Sequence, residues 1–105
     1  MTVEPMLILN DQLQVAKLNE PFCRVFEVSR GDVEGKSIFE IGNGRWNVPG
    51  LRTLIERVLP ENKRVEDYRI EHAFKSGHSA VRVSARKLYQ HSKGTHYVVM
   101  RFDLE

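Results

Sequence analysis

Residues 6–18 carry the pattern of a β-hairpin. The apolar run Met6–Leu9 has the length of a short strand, and the polar residues 10–12 have the composition of a turn. Val15 and Leu18 supply the apolar positions of a second strand. The sequence therefore predicts two antiparallel strands near the start of the chain.

A helix is predicted directly after this hairpin. Asn19 is a good N-cap residue, and Pro21 suits the first helical turn. Phe22, Val25 and Phe26 follow at spacings i, i+3 and i+4, which places both aromatic rings on one buried face.

The chain is then expected to turn twice. Residues 29–32 are predicted to break the first helix, and residues 35–37 are predicted to form another turn. Ile38, Phe39 and Ile41 are expected to form a short apolar helical segment.

A loop rich in glycine and asparagine follows and surrounds Trp46, the only tryptophan. Segment 41–51 is typical of neither a regular helix nor a strand. Pro49 has the fixed φ of a first helical turn, and apolar residues recur beyond it at helical spacing, which predicts a helix over 49–59. Pro60 is expected to end this helix. The apolar stripe consists of Leu51, Leu54, Ile55, Val58 and Leu59.

After residue 63 the apolar period changes to two, which predicts three further strands joined by turns at 75–78 and 90–94. The apolar positions of these strands are Tyr68, Ile70, His72 and Phe74, then Val81, Val83 and Ala85, then the run 97–102. The element order is β-β-α-α-α-β-β-β. This order favours an α+β fold, an antiparallel sheet with helices packed on one face.

Composition narrows the classes of function. The 105 residues are 41% hydrophobic and 29% charged, as in an ordinary single globular domain. The net charge of +2 arises from well-mixed acidic and basic residues, so nucleic acid is not predicted as a partner. No apolar run approaches the roughly 20 residues of a membrane span. The start of the chain lacks a signal-peptide pattern, and we predict a cytoplasmic protein.

Chemistry-bearing motifs are sparse. Cys23 is the only cysteine, which excludes an internal disulfide. The segment 42–44, Gly-Asn-Gly, lacks the Gly-Lys-Ser/Thr that would make it a phosphate loop. The four histidines have no metal-ligand spacing, and no Ser-His-acid motif is recognisable. We therefore predict no metal site, no catalytic residue and no enzymatic activity for this domain alone.

Four short motifs in order resemble those of a PAS domain, the small sensory module of bacterial signalling proteins. They are the strand-turn-strand 7–15, the "x-N-x-x-F" pattern at 18–22, the "G-K/R" turn at 35–41 and the ending at 100–105. The insert 42–49 is similar to that of a subgroup attached to sensor histidine kinases.

This resemblance implies a five-stranded antiparallel sheet in the order 2-1-5-4-3, with helices on one face. It further implies a homodimer and a C-terminal effector, here a histidine kinase domain in a longer protein of which residues 1–105 would be one domain. Asp103 matches the acid at the signal exit, whereas Leu104 and Glu105 stand where Ile and Thr are usual. Only part of that junction therefore carries over.

The resemblance also permits a test of cofactors. Flavin-binding light sensors of this fold need a reactive cysteine before the long helix, but residues 42–46 contain none and Cys23 lies in an earlier helix. Haem-binding members need a histidine on the long helix, and residues 50–59 contain none. We predict no specific cofactor and leave open an unidentified small molecule.

Two residues have competing interpretations. His72 shares the inward face of its predicted strand with Ile70. It is interpreted as a core histidine with a satisfied hydrogen bond, as a polar anchor in a ligand cavity, or as a pH-sensitive group. Trp46 is interpreted as a cap on the core or as part of a lid over a bound ligand.

The predicted ligand pocket lies between the helices and the sheet. Its candidate residues are Ile8, Phe26, Ile41, Trp46, Leu54, Ile55, Val58, Ile70, His72, Val83, Val98 and Met100. The predicted function is signal sensing and dimerisation in a sensor histidine kinase or related two-component regulator, with the change passed to a C-terminal effector. The alternative is a ligand-free interaction module, and a haem or flavin sensor is least favoured.

Overall fold

The computed structural model describes residues 4–41, 46–61, 64–71, 80–90 and 94–104. These residues form a five-stranded antiparallel sheet in the order β2-β1-β5-β4-β3, with helices packed over one face. The predicted α+β class and strand order are confirmed. The strands are β1 Met6–Leu9, β2 Val15–Leu18, β3 Arg64–Glu71, β4 Ala80–Gln90 and β5 Thr95–Leu104.

The first two strands form the predicted hairpin. Leu7 pairs with Leu18 and Leu9 with Val15 across an irregular register. The turn between the strands is held by Asn10, whose side-chain oxygen accepts hydrogen bonds from two backbone N–H groups further along the turn, each 2.9 Å long. This is the turn chemistry that favours asparagine.

Helix α1, Glu20–Phe26, begins as predicted. Asn19 Oδ1 accepts from the backbone N–H of Phe22 at 3.1 Å and also from that of Met6 at 3.0 Å. The same side chain therefore caps α1 and ties it to the first strand.

The predicted break at residues 29–32 is wrong in part, because helix α2 spans Arg30–Val33. Helix α1 ends earlier, where Glu27 adopts a left-handed conformation with φ of 56°. Ser29 starts α2, and its hydroxyl donates to Asp32 Oδ2 at 2.7 Å. Serine followed by an acid three residues later is a helix-start signal.

The third helical segment, α3, runs beyond its predicted end. It comprises the α-helical turn Pro49–Thr53, the π-helical turn Leu54–Val58 and the final turn Leu59–Glu61. The N–H of Leu59 donates to the carbonyl of Leu54, five residues earlier. A proline clashes with the carbonyl four residues before it in a regular helix, and the wider turn shifts that register. Pro60 therefore lies within α3 instead of ending it.

Strand β3 begins at Arg64, whereas the first apolar position predicted for it is Tyr68. The prediction started too late because a bulge interrupts the alternation of apolar and polar residues. The register shifts between Val65 and Tyr68, and Asp67 has a φ of 55°. The predicted continuation to Phe74 and the turn 75–78 lie outside the described residues.

Strand β5 occupies the centre of the sheet. It pairs with β1 from Met6↔Arg101 to Leu9↔Val98 and with β4 over ten registered positions. Along β4, Val81, Val83 and Ala85 are buried as the alternation predicts. Within the described ranges, no helix is long and apolar enough to cross a membrane.

The start of α3 lies very close to β3. A Cβ atom added to Gly50 would be 3.0 Å from Cγ2 of Ile70, which is itself only 2% exposed. Such spacing is tighter than ordinary van der Waals contact, and a buried isoleucine has little room to move. Only glycine fits this crossing without displacement.

We therefore expect Gly50→Ala to destabilise the domain by about 1 kcal/mol through overpacking. Gly31→Ala in α2 is the matched control, because a Cβ there meets nothing within 4 Å. The control should stabilise slightly, since alanine favours helix over glycine by up to about 1 kcal/mol. Urea unfolding followed by circular dichroism measures both changes, and equal effects of the two substitutions would contradict the proposed crowding.

Candidate functional site

Four aromatic rings meet between the helices and the sheet. Phe22 and Phe26 come from α1, Phe102 comes from β5, and Trp46 comes from the segment before α3. The ring centroids are 4.7 Å apart for Phe22–Phe26, 4.8 Å for Phe26–Trp46 and 5.2 Å for Trp46–Phe102. Tilted and edge-on pairs at such distances contribute about 0.5–1.5 kcal/mol each beyond their area burial. This four-ring cluster joins three separate parts of the chain.

Most predicted pocket residues lie in the same core as the four-ring cluster. Those that are buried there are Phe26, Ile41, Trp46, Leu54, Ile55, Ile70, Val83 and Met100. Val98 is partly buried and packs against them. The geometry thus brings these side chains together, and their role in binding a ligand stays a prediction.

The prediction that Ile8 lies on the inward face is wrong. Leu7 and Leu9 are buried, at 1% and 0% exposure, and Ile8 between them faces the other side of the sheet. Four successive apolar residues show no alternation, so their sequence cannot indicate the inward face. The pairing of Leu7 with Met100 and of Leu9 with Val98 determines it.

Three other predicted residues are not part of the described core. Val58 belongs to the π-helical turn, but its side chain lies outside the description, and so does all of His72. Asp103 is exposed near the end of β5, opposite Arg82 of β4. Its proposed part in signal exit therefore concerns the surface of the sheet.

Trp46 is buried, with 2% exposure, as expected for a cap on the core. The chain after it is tied to α3 through Arg52, whose Nε donates to Asn47 Oδ1 at 2.6 Å and whose Nη1 donates to Glu56 Oε1 at 2.9 Å. The Arg52 guanidinium also lies 4.3 Å from the ring centroid of Phe39. The tryptophan and the start of α3 are consequently held as one unit. Movement of Trp46 as a lid stays a prediction.

Sequence reasoning left two central residues out of the pocket. Phe22 and Phe102 are both completely buried, and their centroids are 5.4 Å apart. The signals were present, because Phe22 shares the helical face of Phe26 and Phe102 follows Met100 by two along a strand. Contact between the two rings depends on how α1 crosses β5.

The opposite face of the sheet carries a shallow depression that sequence reasoning also missed. Its volume is about 260 Å³, and its lining includes Arg64, Glu66, Ser84, Arg86, Val99 and Arg101. Arginine is rich in hydrogen-bond donors, so this surface suits carboxylate or phosphate groups.

The fold and its aromatic core define the chain as a small α+β domain that encloses its core between helices and one sheet face. A model of the PAS fold family matches residues 2–103, and the chain therefore belongs to this family. The resemblance inferred from the short motifs is thus confirmed. A search of curated proteins finds no significant match.

Solved structures support the same fold. A PAS domain from a two-component sensor histidine kinase is similar with a TM-score of 0.73 and 16% identity, over 99% of this chain and 86% of that one. The PAS domain of BvgS from Bordetella pertussis is similar with a TM-score of 0.75 and 15% identity, over 97% of this chain and 76% of that one. A fungal LOV domain photoreceptor is similar with a TM-score of 0.73 and 15% identity, over 97% of this chain and 74% of that one. At these identities the likeness establishes the fold alone.

The four-ring cluster predicts that Phe102→Ala destabilises the domain by about 3–5 kcal/mol, because the substitution leaves a cavity among three other rings. Trp46 remains as an intrinsic fluorophore for urea unfolding. Tyr89→Ala on the adjacent strand is the matched control, since Tyr89 is 48% exposed, and it should cost less than about 1 kcal/mol. Similar losses in both variants would refute a central role for the cluster.

Proposed function

We propose that this PAS domain senses a signal in a bacterial sensor histidine kinase or related two-component regulator and passes it to a C-terminal effector. The observation that carries the proposal is the position of Phe102. This residue contacts the rings of α1 and Trp46 and directly precedes Asp103 near the end of β5. Packing in the core is thus connected physically to the end of β5, from which the proposed effector would follow.

A ligand or partner would act by favouring one arrangement of the helices over the sheet. A shift of α1 or Trp46 would change the contacts of Phe102. Strand β5 then runs through the middle of the sheet to Asp103, the proposed signal exit. Such a signal passes only if ligand or partner binds the two arrangements with different affinity. Solved neighbours from sensor histidine kinases support this context.

If this coupling exists, Phe22→Leu will increase amide hydrogen exchange at residues 101–104 more than along β3, at the sheet edge. The substitution weakens the ring contact with Phe102 while leaving an apolar side chain in place. Phe39→Leu is the control, because Phe39 is half-buried and contacts Arg52. A uniform increase across all strands would indicate only global destabilisation and would contradict the coupling.

A second function, a ligand-free interaction and dimerisation module, is favoured by the packing of the four-ring cluster. The four rings pack against one another between α1 and β5, where the predicted pocket would lie. A flavin photosensor is not proposed, because Cys23 lies on α1, partly buried against the core, and not in the segment before α3. We propose no specific cofactor.

Native mass spectrometry of the freshly purified protein separates these functions. The ligand-free module predicts the mass of the bare chain or its dimer, with a dimer fraction that rises with protein concentration. A co-purifying small molecule would favour the ligand sensor, and an absorption band above the protein range would identify a pigment. A bare mass would exclude a tightly bound ligand.

A further inference from the structure

The two edge strands of the sheet differ in what covers their outer backbone groups. At the β2 edge, the N–H of Val15 donates to the carbonyl of Lys36 at 2.8 Å, and the N–H of Gly35 donates to the carbonyl of Val15 at 2.7 Å. A third bond of 3.0 Å joins the N–H of Ile38 to the carbonyl of Leu13. Segment 35–38 therefore occupies the hydrogen-bonding edge of β2.

Strand β3 has no such cover within the part of the chain that the structure describes. It pairs with β4 on one side, and it ends the strand order of the sheet. Its eight residues, Arg64–Glu71, thus present backbone N–H and C=O groups along a free edge. Such an edge is a template for the addition of another strand.

The charges of β3 are complementary to those of the same strand turned end for end. Its sequence is Arg-Val-Glu-Asp-Tyr-Arg-Ile-Glu, and its four outermost charged side chains are exposed. In an antiparallel pair of two copies, Arg64 of each copy would stand opposite Glu71 of the other. Glu66 would stand opposite Arg69 in the same way. Opposite charges in directly opposed cross-strand positions stabilise a sheet.

Strand β4 leaves both arginines of β3 beside a like charge. Arg64 lies directly opposite Arg86, and Arg69 lies directly opposite Arg82. Such like-charge pairs destabilise a sheet. Along β3, each arginine contacts the glutamate two residues further on. A glutamate of a second copy on the free side would offset the repulsion from β4.

We propose that β3 pairs antiparallel with β3 of a second copy, about a two-fold axis between Asp67 and Tyr68, and joins the two five-stranded sheets. The inference rests on the dimerisation module proposed above and names its interface. The bulge interrupts regular pairing at Asp67, which has a φ of 55°. Only the short runs on either side of it pair, and the dimer is therefore weak and concentration-dependent.

A head-to-tail contact fits the edges less well. It would place β3 of one copy against β2 of the next, but segment 35–38 already bonds to the edge of β2. Such a contact would also continue into an open assembly, whereas pairing of β3 with itself closes at two copies.

Sedimentation velocity of the 105-residue chain over a range of concentrations tests the interface. Arg64→Glu should weaken dimerisation at least about tenfold, because it places two like-charge pairs across the axis. Glu71→Arg should do the same. Mixed in equal amounts, these two variants regain every opposite-charge pair and should form a heterodimer within about threefold of the original affinity. Arg24→Glu on the exposed surface of α1 is the matched control and should stay within about twofold.

Three results would place the contact elsewhere and overturn the inference while leaving dimerisation intact. They are a dimer that persists in Arg64→Glu, an equal loss in Arg24→Glu, and no association of the mixed variants. A chain that stays monomeric at every concentration would overturn both this interface and the proposed dimerisation. Recovery in the mixture also shows that the single variants are folded.

Discussion

The contact among Phe22, Phe26, Trp46 and Phe102 is the interaction on which the rest of the structure depends. It links α1, the chain before α3 and the central strand β5, three parts that are distant in sequence. Neither α1 nor β5 would be stable alone in water, since short isolated helices and unsupported strands are marginal. Their burial against one another supplies the missing free energy. The same contact is the one through which we propose that β5 responds to the helices.

The two faces of the sheet carry different kinds of side chain. The inner face is filled with apolar side chains, and the crossing of Gly50 over Ile70 allows α3 to approach it closely. The outer face carries opposed arginines and half-buried apolar residues such as Val99. Alternation along each strand is what separates these surfaces, because successive side chains point to opposite sides.

Much of the fold could be predicted because capping residues and the alternation of apolar and polar residues are visible in the sequence. Asn19 with Pro21 marked the start of α1, and the alternation of Val81, Val83 and Ala85 with polar residues marked the inner face of β4. Prediction failed where local signals were weak or were overridden. Ile8 sits in an unbroken apolar run, the bulge at Asp67 interrupts the period of β3, and the π-helical turn carries α3 through Pro60.

By itself the sequence determined the types of most elements, their order along the chain and the family suggested by its short motifs. The hydrophobic period and the capping residues involve only residues close together in the sequence, so they can be recognised without a structure. Only the tertiary structure decided which face Ile8 occupies, that Phe102 meets Trp46, and that Arg64 opposes Arg86. These relations are set by strand register and by helix crossing, which join residues far apart in the chain.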